Sequence, residues 1–305
     1  MSLAVRFSEY GTSEKLSVVD VPPVVPGPGQ VRLAVRAAGI NPIDWKILQG
    51  WMRDQFPLAL PAGLGADVAG VVDAVGEGVT GFEVGDEVLG ASLTPAYAEF
   101  ALADPAALVA KPATVPWTVA GALAGAGGTA WTVLDRLKVT EGETLLIHAA
   151  AGGVGTFAVQ LAVARGARVI GTAGERNQGL LREFGAVPVT YGEGLVERVR
   201  AVAPGGVDAV IDASGRGEIP GSIELAGGPD RVLTLVAFDA AGTGIRIHTN
   251  GADGNGSRAL REILALIQEG RLHVPIARTY PLTQAAAALD ASRGGHVGGK
   301  IVLLP

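Results

Sequence analysis

The 305-residue chain contains no cysteine. That absence excludes disulfides, thiolate nucleophiles and every cysteine-based zinc site. Histidine is scarce: His148, His248, His273 and His296 are dispersed, without the i, i+4 spacing of metal-binding helices. No metal is therefore expected. Lys and Arg number 24 against 30 Asp and Glu, and the net charge of −6 includes no basic block. A phosphate-tracking groove and an anionic membrane surface are thus excluded as expected partners, so neither nucleic acid nor membrane is anticipated. No apolar run is long enough to span a bilayer, and Met1 to Tyr10 lacks the charged and apolar regions of a signal peptide. The expected location is the cytoplasm.

What is abundant is glycine, 45 residues, set between apolar runs of strand and helix length rather than in tracts. A chain of this length exceeds the usual size of a single core, so two domains are expected. The first third reads as β: Val31, Leu33 and Val35 alternate with Arg32, Ala34 and Arg36, and further strands are expected over 67–75, 83–89 and 96–102. From Thr144 onward apolar strands alternate with amphipathic helices, the pattern of βαβ units and a parallel sheet. Strands are expected over 144–149, 168–172, 187–190, 207–212 and 231–237, with another at 301–304. Val154, Phe157, Ala158, Leu161 and Ala162 form one helical face before Gly166, and Leu260, Ile263, Leu264 and Ile267 another.

The strongest chemical signal follows the strand ending at Ala149: Ala150-Ala151-Gly152-Gly153-Val154-Gly155, opening a helix. Glycines there let backbone N–H groups at a helix N-terminus approach a pyrophosphate. This is the dinucleotide fingerprint with Ala150 in place of its first glycine. Its strand and helix context is what distinguishes it from an ordinary βα turn. A carboxylate for the ribose 2′-OH of NAD is expected at the end of the next strand. That place is Ala173 or Gly174, and Arg176 follows, suited to a 2′-phosphate. NADPH is favoured, with Glu175 as the residue that would serve NAD and a solvated loop as the plain alternative for Arg176. Earlier, Asn41-Pro42-Ile43-Asp44 reads as a helix start, with Asn41 as N-cap, Pro42 in the first turn and Asp44 accepting near the N-terminus. His148 reads as a hydrogen-bonded strand-end residue rather than a catalytic base.

Nearly end to end the chain resembles the medium-chain dehydrogenase/reductase superfamily, in its zinc-free quinone oxidoreductase (zeta-crystallin-like) branch. The resemblance rests on Tyr10-Gly11, Pro28-Gly29-Gln30-Val31, 38–44, Gly65-Ala66-Asp67-Val68-Ala69-Gly70-Val71-Val72, Val84-Gly85-Asp86-Glu87-Val88, 148–155 and Gly299-Lys300-Ile301-Val302. It implies an α/β fold in which a doubly wound Rossmann sheet is inserted in a GroES-like, β-rich catalytic domain. The expected boundaries are 1–116 plus 268–305 for the catalytic domain and 117–267 for the Rossmann domain. Zinc-bearing members carry a cysteine where this chain has Asn41 and a His-Glu pair where it has Ala66-Asp67, and no thiol stands near Gly125. The resemblance therefore implies catalysis without zinc.

Carried over residue by residue, it implies catalytic roles for Asn41 and its companion Asp44. It implies cofactor contacts at Thr129, at Ala150, Gly152, Gly153, Val154 and Gly155, and at Ala173, Arg176 and Tyr191 on the adenosine side. Val236, Ala237 and Phe238 would flank the nicotinamide, and Lys300 would be a basic residue near the cofactor. Tyr191 as a surface turn residue and Lys300 as a strand-edge charge are the plain alternatives. Many relatives have a tyrosine where this chain has Gly50-Trp51-Met52. Trp51 and Phe56 are instead expected as apolar walls for the substrate. The implied activity is NADPH-dependent reduction of quinones or α,β-unsaturated carbonyls, and the implied assembly is a homodimer. Two alternatives stand beside it: an enoyl-thioester reductase, disfavoured by the missing tyrosine and the stand-alone length, and a non-catalytic NADPH-binding sensor or partner module.

Overall fold

The computed structural model describes residues 1–55, 57–248, 256–295 and 297–305. Among them are fifteen strands and nine α-helices, numbered β1–β15 and α1–α9 along the chain. They fall into two units: 1–128, 254–268 and 274–305 in the first, 129–253 and 269–273 in the second. The division falls inside α3 (Ala124–Arg136) rather than near 116/117. Helix α8 (Gly256–Gln268) belongs to the first unit, whereas the sequence boundaries put it in the Rossmann domain. No helix among the described residues is long and apolar enough to cross a membrane.

The first unit is built on a sheet in the order β14-β15-β3-β4-β5-β7, with β6 pairing with β3. The ranges are β14 Ile276–Pro281, β15 Lys300–Leu304, β3 Val31–Ile40, β4 Asp67–Val75, β5 Glu87–Ala91, β7 Leu108–Ala110 and β6 Phe100–Ala103. A hairpin of β1 (Ser2–Arg6) and β2 (Ser17–Val21) lies beside it. Strand β3 alternates over 31–36 as read, then continues to Ile40 with Ala37, Ala38 and Ile40 all buried. Alternation ends there because β3 is covered on both faces; helix α2 (Trp117–Ala120) packs on it. Gly39 permits that approach: a Cβ there would lie 2.4 Å from the Gly121 carbonyl oxygen. The strand expected over 83–89 begins only at Glu87, because Gly85 (φ +106°) and Asp86 form a turn held by the Glu83 N–H on Asp86. Helices α1 (Pro42–Leu48) and α9 (Ala285–Gly294) pack against each other. The core gathers Phe7, Leu33, Leu48, Val72, Tyr97, Leu289 and Leu303.

The second unit is a parallel sheet in the order β10-β9-β8-β11-β12-β13. Its strands are β8 Thr144–His148, β9 Arg168–Thr172, β10 Val187–Val189, β11 Ala209–Asp212, β12 Val232–Thr234 and β13 Arg246–Ile247. Counted from β8, that is the 3-2-1-4-5-6 order of the dinucleotide fold, reversing direction between β8 and β11. The crossovers carry α4 (Gly153–Ala164), α5 (Gln178–Glu183), α6 (Leu195–Val202) and α7 (Ile219–Ala226). Leu146, Ile170, Val199, Val210, Ile219 and Val232 make its core. The doubly wound parallel sheet and the separate β-rich unit are the fold class expected.

Candidate active site

In the second unit, the turn from β8 to α4 is shaped to receive an anion. Gly152 is the N-cap of α4, and no side chain caps it. The first intrahelical bond of the turn runs from Thr156 N–H to Gly152 O, so the N–H groups of Gly153, Val154 and Gly155 have no helical acceptor. Gly155 is required by contact: a Cβ there would lie 2.3 Å from Ala149 O and 2.7 Å from Ala150 C and Cα. Ala150 is tolerated in place of the fingerprint's first glycine because Gly171 faces it. A Cβ at 171 would lie 2.8 Å from that of Ala150. Ala149 holds a left-handed φ of +53°, a strain of about 1–2 kcal/mol for an L-residue. Behind the turn, buried His148 meets the Ser222 hydroxyl through Nε2 at 2.9 Å, and burial pushes its pKa down. It is the hydrogen-bonded strand-end residue expected.

Around the same carboxyl edge of the sheet lie the residues read for the adenosine side. Ala173 is buried after β9, and its N–H bonds to Val189 O. Arg176 is exposed on a 3₁₀ turn over Glu175–Asn177. Tyr191 follows β10, its hydroxyl 3.5 Å from where a Gly174 Cβ would stand. The guanidinium of Arg216, from the loop after β11, lies 5.4 Å from the Tyr191 ring centroid. Sequence reading passed over Arg216; its position just beyond a parallel strand was the available signal. The loop after β12 is anchored by buried Asp212. The Thr234 hydroxyl donates to Asp212 Oδ2 (2.8 Å) and accepts from the N–H groups of Val236 (3.2 Å) and Ala237 (3.0 Å). That pull ends β12 at Thr234, three residues short of the expected end, and leaves Phe238 half-exposed. Thr129 is half-buried in α3.

In the first unit, Asn41, Asp44 and Lys300 converge with two residues the sequence reading gave no catalytic part, Asp67 and Tyr97. Asp44 Oδ2 accepts from the Asn41 N–H (2.7 Å), closing the expected helix start, and from the Tyr97 hydroxyl (2.6 Å). Lys300 is a buried residue on an internal strand, not a strand-edge charge. Its Nζ donates to Ile40 O (3.1 Å) and to Asn41 Oδ1. The Asn41 amide and the Gly125 N–H favour ionised Asp67, whose Oδ2 has no hydrogen-bond partner. Asn41 and Asp67, positions implicated in zinc binding by the resemblance, therefore stand beside an ammonium group. Burial pushes both Asp67 and Asp44 up, Asp44 to about 6, and pushes Lys300 down. Trp51 stands 64% exposed, edge-on to Trp45 at 5.3 Å. Phe56, the other expected wall, lies outside the described residues, as does His296.

The raised Asp44 pKa has a consequence for stability. A carboxyl easier to protonate in the folded state stabilises the fold while protonated. Its contribution is complete below about pH 4 and is lost as pH rises through about 6. The shift from 3.8 to about 6 corresponds to about 3 kcal/mol. Asp44→Asn carries no charge, and its amide oxygen can keep both contacts made by Oδ2. Urea unfolding is expected to show the variant more stable than the parent at pH 8, by up to about 3 kcal/mol, with the difference gone at pH 4. An equal difference at both pH values would show that ionisation of Asp44 is not its source.

Known proteins resemble this chain along most of its length. Residues 27–134 match the family described as alcohol dehydrogenase GroES-like domain, and 184–303 that described as zinc-binding dehydrogenase. A quinone oxidoreductase of Pseudomonas aeruginosa is 33% identical over 331 aligned positions covering 100% of both chains. A mycocerosic acid synthase-like polyketide synthase of Mycobacterium tuberculosis is 33% identical over 92% of this chain, which spans only 14% of that protein. A mycobacterial structure complexed with NADPH superposes with a TM-score of 0.86 at 30% identity, covering 99% of this chain and 100% of the other.

Proposed function

Because the chain belongs to the medium-chain dehydrogenase/reductase superfamily, in its quinone oxidoreductase branch, and is an oxidoreductase, we propose that it reduces quinones or α,β-unsaturated carbonyls with NADPH. The observation that carries the cofactor choice is the rim at the carboxyl edge of the sheet. Arg176 and the Arg216–Tyr191 pair stand there, and the strand-end positions Ala173 and Gly174 carry no carboxylate. Two guanidinium groups suit a 2′-phosphate through charge-assisted hydrogen bonds. The cramped glycine turn and uncapped start of α4 fit a pyrophosphate. When bound, NADPH supplies the hydride.

The protein's residues provide binding, orientation and a proton path. Gly153, Val154 and Gly155 offer backbone N–H groups to the pyrophosphate. The loop of Val236, Ala237 and Phe238, pinned by Thr234 and Asp212, gives the nicotinamide an apolar flank. Thr129 is a further cofactor contact, and Trp51 a wall for an apolar acceptor. Asn41 donates to the acceptor's carbonyl oxygen as electron density builds there. Asp44, with a pKa of about 6 and the Tyr97 hydroxyl on its Oδ2, relays the solvent proton that completes the reduction. Asp44→Asn is accordingly expected to lower turnover, and unchanged kinetics would remove it from the proton path.

The test is anaerobic NADPH consumption against quinones, enones, enals and enoyl thioesters, with products identified. Turnover of quinones or enones is expected. The match to part of a polyketide synthase supports enoyl thioesters as the second substrate class, and turnover confined to them would replace the first reading. NADPH binding without turnover of any acceptor would favour a sensor.

A further inference from the structure

We infer that Lys300 and Asp67 are positioning residues that hold the Asn41 side chain in one orientation, leaving a single amide hydrogen to donate to the substrate's carbonyl oxygen. The inference rests on the proposed reductase reading, which supplies Asn41 with its acceptor.

An asparagine amide has two faces of opposite hydrogen-bonding character, and nothing in its shape decides which way it points. Here the neighbours decide. The Lys300 ammonium has donors and no acceptor, so the atom facing it must be Oδ1. Its second bond, to Ile40 O, ties Nζ to the backbone beside Asn41. With Oδ1 fixed, Nδ2 lies on the other side, where Gly125 leaves space: a Cβ at 125 would stand 2.9 Å from Nδ2 and 2.7 Å from Asp67 Oδ1. That places one Nδ2 hydrogen on the side of Asp67, whose ionised form the Asn41 amide favours.

The other hydrogen has no partner among the described residues, and Asn41 is half-buried rather than enclosed. An ammonium on Oδ1 draws electron density from the amide and makes the remaining N–H a stronger donor. Two carboxylates and a lysine buried together are costly to retain for stability alone. The arrangement preorganises a dipole toward developing negative charge, and preorganisation of this kind acts on the chemical step more than on binding.

The test separates orientation from charge balance. Lys300→Met leaves buried carboxylates without their cation, so a loss of activity in that variant alone is ambiguous. Lys300→Met combined with Asp67→Asn removes one charge of each sign and is expected to regain the parent's unfolding midpoint. Its kcat should nonetheless stay about 10- to 100-fold low with KM for NADPH little changed, because nothing then dictates the amide's direction. Recovery of kcat together with stability would overturn the inference.

A readout independent of turnover uses the parent protein without nucleotide. The two Asn41 side-chain N–H resonances, assigned by comparison with Asn41→Asp, should be widely separated and protected from exchange over the pH range in which Lys300 stays charged. Degenerate, freely exchanging resonances would overturn the inference even if the variants fail to fold. Absence of turnover in the parent with every acceptor, beside a fixed Asn41 amide, would instead fault the reductase reading.

Discussion

Gly155→Ala is expected to weaken NADPH binding by about 100-fold, equivalent to about 2.7 kcal/mol. The added Cβ would lie 2.3 Å from Ala149 O and 2.7 Å from two backbone atoms of Ala150. None of these can rotate aside as a side-chain tip would, so the turn itself must move. That displaces the N–H groups of Gly153 and Val154, whose value to a pyrophosphate depends on where they point. Ala149, already left-handed at φ +53°, has little freedom to absorb the shift. Gly179→Ala is the matched control: it adds the same methyl group in α5, where nothing lies within 4 Å. Fluorescence titration with NADPH and thermal unfolding of both variants make the comparison. Equal affinities for the two variants would show that the turn does not carry the cofactor.

The second large effect concerns the choice of nucleotide. Arg176→Ala is expected to weaken NADPH binding by about 10- to 100-fold, the range of a charge-assisted hydrogen bond. NADH, lacking the 2′-phosphate, should change by less than about 2-fold on the same principle. Arg216→Ala should act in the same direction, because its guanidinium lies against the Tyr191 ring near Gly174. The double variant should also lose most of the salt dependence of NADPH binding, since both arginines are exposed and act through screened charge. Dissociation constants for both nucleotides at two ionic strengths decide it. Equal losses for NADPH and NADH would refute the 2′-phosphate assignment.

The candidate residues of the two units differ in how far sequence reveals them. The glycine turn after β8 was legible because its parts are contiguous: strand, glycines and helix lie within 144–164, and each imposes its own residue pattern. The parallel strand order followed from the alternation of strands and helices. Lys300 was readable only as a basic residue near the chain's end. Its partners Ile40 and Asn41 stand 260 and 259 positions earlier, and a lysine gives no local sign that it will be buried. Tyr97 was hidden for the same reason, since its hydroxyl meets Asp44 across 53 positions. Burial on both faces erased the alternation of β3 beyond Arg36, and β13, with two residues, is too short to carry any period. The break between the two units inside α3 also leaves no mark on the sequence, because the helical pattern runs through it.

The most direct test of the account is the fate of the hydrogen on the cofactor. NADPH deuterated on one or the other face of its nicotinamide C4 would be incubated anaerobically with a simple cyclic enone, and the product read by NMR. Deuterium is expected at the β-carbon of the saturated ketone from one of the two labelled forms only, with a solvent-derived proton at the α-carbon. Product lacking deuterium from both forms would contradict direct hydride transfer from NADPH, and with it the central claim.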